Sequence, residues 1–164
     1  MLYVPQHFFA NNHKAVEERL GAGAHAELLF KPGYESARTW CEYESARHGL
    51  SGEDVFRHYM QRLSQRGWAQ FSVEQLDSTN GTGRVRVDHS VFVLQHGGGA
   101  DRPLCYMFSG WLCGSLEWVM ADRGEPLEVT AEETACAAQP GHDHCLFDIG
   151  PNTRAVRPAG TSGA

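Results

Sequence analysis

Glu133-Thr134-Ala135-Cys136-Ala137-Ala138-Gln139-Pro140-Gly141-His142-Asp143-His144-Cys145-Leu146-Phe147 is the stretch whose reading decides the fold. It sets one carboxylate and two thiols around a turn-rich loop. The segments on either side, 127–135 and 146–149, read as strands, so the loop closes a hairpin. Eight residues separate the two cysteines, and Pro140-Gly141 can fold the chain back between them. Zinc takes four ligands in a tetrahedron and favours thiolates. Glu133 lies three residues before Cys136 and can swing an oxygen toward the same point. His142 and His144 are chemically reasonable ligands as well, and both also read as polar residues of an exposed turn. Spacing alone leaves two readings, a metal knuckle or two buried thiols at the ends of a hairpin.

Composition narrows the classes. A chain of 164 residues suits one domain, and at this size about 70% of the unfolded surface is buried on folding. The expected domain covers residues 1–150. The tail at 151–164, rich in Thr, Ser, Gly, Ala and Pro, is expected to be disordered. A net charge of −6 and no run of Lys or Arg exclude a nucleic-acid groove. No apolar run reaches membrane-span length. Met1–Ala10 lacks the basic-then-apolar pattern of a secretion signal, so a cytoplasmic location is expected. There the five cysteines, Cys41, Cys105, Cys113, Cys136 and Cys145, read as metal ligands plus buried thiols rather than disulfides. Cys41 and Cys113 read as small packing residues.

Upstream, an apolar patch in residues 1–11 reads as an arm or an edge strand, and Asn12 as the N-cap of a helix to Leu20. Lys31-Pro32-Gly33 reads as a break before a helix over 34–48. Ser51 and Asp54 resemble a capping box for a helix over 52–66. Trp68–Leu76 and Arg84–Gln95 read as two strands about an Asn80-Gly81 turn, with Val85, Val87, Val91 and Val93 on one face. Pro103 opens a helix over 104–121. Short turns between neighbouring strands imply antiparallel pairing. The expected fold class is α+β, a mostly antiparallel sheet with helices packed on one face.

Two further motifs extend the opening stretch. Cys105-x4-Gly110-Trp111-x2-Gly114 stands upstream, and Ser90 precedes it on the expected strand. Together with Glu133-x2-Cys136-x4-Gly141-His142-x2-Cys145-x-Phe147, this pattern resembles the 4-vinyl reductase-type domain. That family is related to the sensory domains of phenol- and xylene-responsive bacterial activators. The resemblance runs over about residues 34–149 and is strongest from Ser90 onward. It implies a zinc ion held by Cys105, Glu133, Cys136 and Cys145. It also implies a fold shared with nitric-oxide-signalling and Golgi-transport ligand-binding domains, and a homodimer. The loop between Cys136 and Cys145 is one residue longer than the family pattern, and the stretch from helix to knuckle is longer too. Three thiolates and a carboxylate leave no open position for a reactive water, so such a zinc is structural. Structural zinc sites in small peptides contribute about 10–16 kcal/mol, here tying the final hairpin, as a zinc clamp, to the helix that follows Cys105.

Small-molecule binding is the expected function, by resemblance and by the aromatic distribution. Trp40 and Tyr43 share one helix stripe, Phe108 and Trp111 share another, and Phe92 lies on the strand between. Arg47 supplies a polar group, and the ligand space is expected between helix 34–48 and helix 104–121. The expected ligand is a small apolar or aromatic molecule. These aromatics also fit a plain core. No nucleophile elbow, phosphate loop with Lys or dinucleotide fingerprint is present in the sequence. A non-catalytic binder is therefore the leading reading. An accessory factor in tetrapyrrole vinyl reduction and a protein-assembly subunit are the alternatives.

Overall fold

The computed structural model describes residues 4–153. Three helices come first: α1 (Gln6–Leu20), α2 (Ala22–His48) and α3 (Glu53–Gln65). The strands β1 (Gln70–Asp77) and β2 (Thr82–Asp88) follow, then a short α4 (Val91–His96), α5 (Phe108–Asp122), β3 (Val129–Ala135) and β4 (Cys145–Pro151). The sheet order is β1-β2-β4-β3, and every pairing is antiparallel.

The register explains why the sheet has one wet face. Phe71 pairs with Val87, Val87 with Cys145, and Val85 with Phe147. These side chains face the helices and are buried. Their alternates Arg84, Arg86 and Asp148 face outward, where Arg84 donates to both Asp148 oxygens at 2.7 and 3.2 Å. Alternation of this kind commits one face to the core. Val55, Phe56, Tyr59, Met60 and Leu63 of α3 cover that face, as do Phe108, Leu112, Leu116 and Val119 of α5.

α2 then packs outside α5 by direct backbone approach. A Cβ on Gly110 would lie 2.4 Å from the Phe30 carbonyl oxygen, and one on Gly114 would lie 2.4 Å from that of Tyr34. The two glycines are thus a slot for α2. At Phe30 and Tyr34 the two helices leave no ligand space between them.

Several expected boundaries are corrected. The N-terminal patch is helical from Gln6 (Tyr3 lies outside the described residues), and the Asn12 side chain donates to the Phe8 carbonyl inside α1 instead of capping it. α2 runs through Pro32, because packing on α5 outweighs one missing backbone donor. α3 has Gly52 at its N-cap with no side-chain cap bond, so the Ser51–Asp54 box does not form. The expected strand 84–95 ends at Asp88. His89 takes φ 55°, Ser90 caps α4 through the Phe92 N–H at 3.3 Å, and Val91 and Phe92 are buried from a helix. Valine's strand preference yields there to the cap and to burial. α5 starts at Phe108 rather than 104. The expected tail begins inside β4 at Pro151, and residues 154–164 lie outside the described residues.

Candidate metal centre and aromatic core

Three pieces of backbone converge on the Cys/Glu cluster. In β3, Val129, Ala131 and Glu133 point toward the core, so alternation places a carboxylate where an apolar residue would normally sit. A register shift between Glu133 and Ala135 releases the strand, and Cys136 follows it. Cys145 opens β4 on the inner face. Cys105 arrives on the turn before α5, where the Phe108 N–H donates to the Cys105 carbonyl at 2.9 Å.

The donor atoms of Cys105, Glu133, Cys136 and Cys145 all lie within 4.8 Å of one another, and all four residues are buried. The Cys105 and Cys145 sulfurs are 3.7 Å apart, and those of Cys145 and Cys136 are 3.8 Å apart. A tetrahedral zinc with bonds of about 2.3 Å to sulfur sets neighbouring sulfurs about 3.8 Å apart. All five cysteines are free thiols. The Ala137 N–H donates to the Cys145 sulfur at 3.3 Å, and Ser90 Oγ lies 3.1 Å from the Cys105 sulfur. Glu133 Oε2 accepts the Cys105 N–H at 2.7 Å, whereas Oε1 is buried with no hydrogen-bond partner. A buried carboxylate oxygen without a partner is costly, and a cation at the sulfurs would satisfy it.

Electrostatics point the same way. Hydrogen bonds from Cys105 and then Cys145 hold the Cys136 thiol far below its ordinary range. Its bond to Cys136 pushes Cys105 well up. Burial, then the negative Cys136, raises Glu133 to about 8. Protons thus fill sites that a divalent cation would take over. The donor set fits zinc. His142 is exposed, and the His144 ring contacts Asp143 at 2.5 Å, so neither histidine joins the cluster.

The six expected ligand-contacting residues divide into three groups. Phe92, Phe108 and Trp111 come together. Phe108 lies 5.5 Å from Phe92, 5.4 Å from Trp111, 5.1 Å from Phe71 and 6.3 Å from Phe147, centroid to centroid. Trp68 extends the cluster from Trp111 at 5.0 Å. Trp40 lies elsewhere, between Tyr59 at 4.9 Å and the Arg66 guanidinium at 5.5 Å. Tyr43 is 60% exposed, and Arg47 is exposed with its guanidinium 5.9 Å from the Tyr43 ring. Tyr43 and Arg47 therefore face outward, away from the Phe108 cluster. A surface groove of about 360 Å³ between α3 and β1, lined by Arg57, Met60, Gln61, Gln70, Phe71 and Val73, backs onto the cluster through Phe71.

Sequence reading missed a polar network beside these rings. The Tyr106 hydroxyl donates to Glu17 at 2.5 Å and lies 3.0 Å from His13 Nε2 and 3.1 Å from His25 Nδ1. Arg102 pairs with Glu17 as well. Burial, then the nearby His25, lowers the His13 pKa to about 4. Burial raises Glu17, but the Tyr106 bond and Arg102 outweigh it and hold the carboxyl low. The His13 ring also contacts Phe92 at 4.6 Å. Only the His13/Glu17 helical spacing was visible as a signal. The link to Tyr106 spans 93 residues.

The sheet order, the covering helices and the buried Cys/Glu cluster define a domain with the 4-vinyl reductase-type fold. The phenol-responsive sensory domain of the transcription activator PoxR, solved with phenol, has this fold: TM-score 0.76 at 18% identity, over 92% of this chain and 76% of that one. A vinyl-4-reductase family protein from Methanocaldococcus jannaschii matches at TM-score 0.59 and 13% identity, over 92% of this chain and 83% of that one. In sequence, the chain is 26% identical over 140 residues to the phenol regulator MopR of Acinetobacter guillouiae. The match covers 80% of this chain and spans about a quarter, 24%, of that regulator. Residues 1–74 match a family model described as a domain of unknown function, DUF5943. Among the described residues, no helix is long and apolar enough to cross a membrane.

Proposed function

We propose that the domain is a zinc-stabilised, non-catalytic binder of a small apolar or aromatic molecule. The observation that carries this reading is the convergence of Phe71, Phe92, Trp111 and Phe147 on Phe108 beside the Cys/Glu cluster. Edge-to-face and offset ring pairs are worth about 0.5–1.5 kcal/mol each beyond area burial, so an aromatic ligand lodged beside Phe108 would find several such partners. Cys105, Glu133, Cys136 and Cys145 would fill the zinc sphere, so the ion acts as a clamp and not as a Lewis acid. The names of the relatives support phenol as the first probe. The free thiols suit a reducing compartment, the cytoplasm. A homodimer would cover Phe8, Val16 and Leu20, which leave an apolar stripe exposed along α1.

Calorimetric titration of the zinc-loaded protein with phenol tests the binding function. Saturable uptake of one molecule per chain, accompanied by a change in tryptophan fluorescence, is the expected result. If neither phenol nor a cresol binds saturably, the reading fails.

A further inference from the structure

A second group of metal-type donors lies far along the chain from the Cys/Glu cluster, where α2 turns into α3. Glu44 and His48 are one helical turn apart on α2, and His58 faces them from α3. His48 Nε2 lies 3.2 Å from Glu44 Oε2, and His58 Nε2 lies 3.1 Å from the same oxygen. All three donor atoms are within 4.8 Å of one another. The connection between the helices is short, and Gly49 and Gly52 both adopt positive φ, which brings the helix ends together.

The geometry points to a second metal site: we infer that Glu44, His48 and His58 bind a divalent transition-metal cation of the imidazole-preferring kind. Four features carry the inference. Metal bonds of about 2.0–2.2 Å to nitrogen and oxygen place neighbouring donors about 3.0–3.4 Å apart, as the two N···O distances are. Two imidazoles and one carboxylate are a common donor set for such ions. The Glu44 side chain is only 9% exposed, whereas those of His58 and His48 are 23% and 45% exposed. The anionic donor is thus held in the protein while the imidazoles open toward solvent, leaving room for an ion to enter and for water to complete its sphere. Finally, Trp40 stacks on the His58 ring at 5.5 Å and 29°, which fixes the ring plane before any ion arrives.

The other histidine pair does not qualify. Between His13, Glu17 and His25 the Tyr106 hydroxyl occupies the centre, and Arg102 adds a positive charge at Glu17. A hydroxyl already fills the space among those donors. At Glu44 the two imidazoles meet the carboxylate oxygen directly, and an ion there would replace those contacts and bridge α2 to α3 across their turn.

Nickel(II) is the probe, because it favours imidazole and leaves thiolate-bound zinc in place. Protein loaded with a single equivalent of zinc, which the thiolates take first, is titrated with Ni2+ by calorimetry, with tryptophan fluorescence read in parallel. One equivalent should bind, with quenching of Trp40. Loss of a mere outer-shell partner costs about 10- to 100-fold in metal affinity, so His58→Ala and His48→Ala should each weaken binding at least that much. His13→Ala should bind Ni2+ as the parent does. His48 is largely exposed, so His48→Ala tests the site without threatening the fold. The inference is overturned if the parent protein takes up no nickel, or if His48→Ala and His58→Ala bind it unchanged. A protein that lacks zinc at the cysteines but still takes up one His48- and His58-dependent nickel supports this site while removing the other.

Discussion

Cys136 and Cys41 are both fully buried thiols, yet their surroundings give them different weight. Cys136 shares a 4.8 Å cluster with two sulfurs and a carboxylate, whereas burial alone raises Cys41 to about 12 and leaves it an inert packing residue. Metal analysis of the purified protein should find one zinc per chain. Cys136→Ser should lose the zinc and at least about 3 kcal/mol of stability, a fall of about 6–12 °C in Tm for a chain of this size. Cys41→Ser should keep the zinc, and a stable, metal-free wild-type protein would remove the clamp altogether. His13 makes a separate prediction about pH. Its folded pKa of about 4 lies below its ordinary value of 6.5, so between those values the unfolded chain binds the extra proton. Stability should therefore be fully present above about pH 6.5 and decline as the pH falls toward 4. Chemical denaturation at several pH values should show that decline in the wild type. His13→Gln should flatten it, and an unchanged slope would count against burial as the cause.

The contact between α2 and α5 is the element-scale feature most sensitive to one atom. A methyl on Gly114 would meet the Tyr34 carbonyl oxygen at 2.4 Å and its Cα at 2.9 Å. Backbone cannot step aside as a side chain can, so Gly114→Ala should cost about 1–3 kcal/mol. Gly23 also sits in α2, but a Cβ there meets nothing within 4 Å. Gly23→Ala should be neutral or stabilising by up to about 1 kcal/mol through helix propensity. Thermal melts of the two variants check the pair, and equal behaviour would mean that the close approach is unimportant. Gly110 and Gly114, four apart, are small enough to admit a close neighbour, but the sequence does not name the partner, because α2 lies some eighty residues earlier and was read as broken at Pro32. The α+β class, the antiparallel hairpins and the helix over 52–66 were legible, since each follows from short-range periodicity and turn signals. Residues 84–95 were misread because Val85, Val87, Val91 and Val93 alternate like a strand, and only the Ser90 cap and tertiary burial turn Val91 and Phe92 into a helix. At the site, spacing singled out Glu133, Cys136 and Cys145 but left a metal knuckle and two buried thiols as equal readings, and Cys105 joined them only through the family resemblance. The division of the six aromatic and polar candidates was not legible, because Tyr43 and Arg47 share a sequence stripe with Trp40 while the packing of α2 against α5 turns them outward.

At the scale of the whole molecule, the Cys/Glu cluster and the aromatic core share their backbone supports. The turn that presents Cys105 also starts α5 at Phe108, through a 2.9 Å bond. The strand that opens with Cys145 carries Phe147 two residues later, 6.3 Å from Phe108. An ion at the cluster would therefore hold two sides of the ring assembly at once. Removing it releases the junction between β3, β4 and the turn before α5, while the β1–β2 pairing and the helices keep their own hydrogen bonds. Chelation should accordingly weaken the near-ultraviolet circular dichroism of the aromatic rings and leave the far-ultraviolet signal largely intact, as local packing loosens on retained secondary structure. The same coupling is reciprocal: if the ion favours the ring arrangement that accepts phenol, phenol must raise the affinity for the ion by the same factor. Competition with a chromophoric chelator, with and without phenol, measures that factor. Zinc held more tightly against the chelator in the presence of phenol, together with phenol binding weakened in the metal-free protein, is the expected pair of results. Equal phenol affinity with and without metal would mean that the clamp and the binding core are energetically separate.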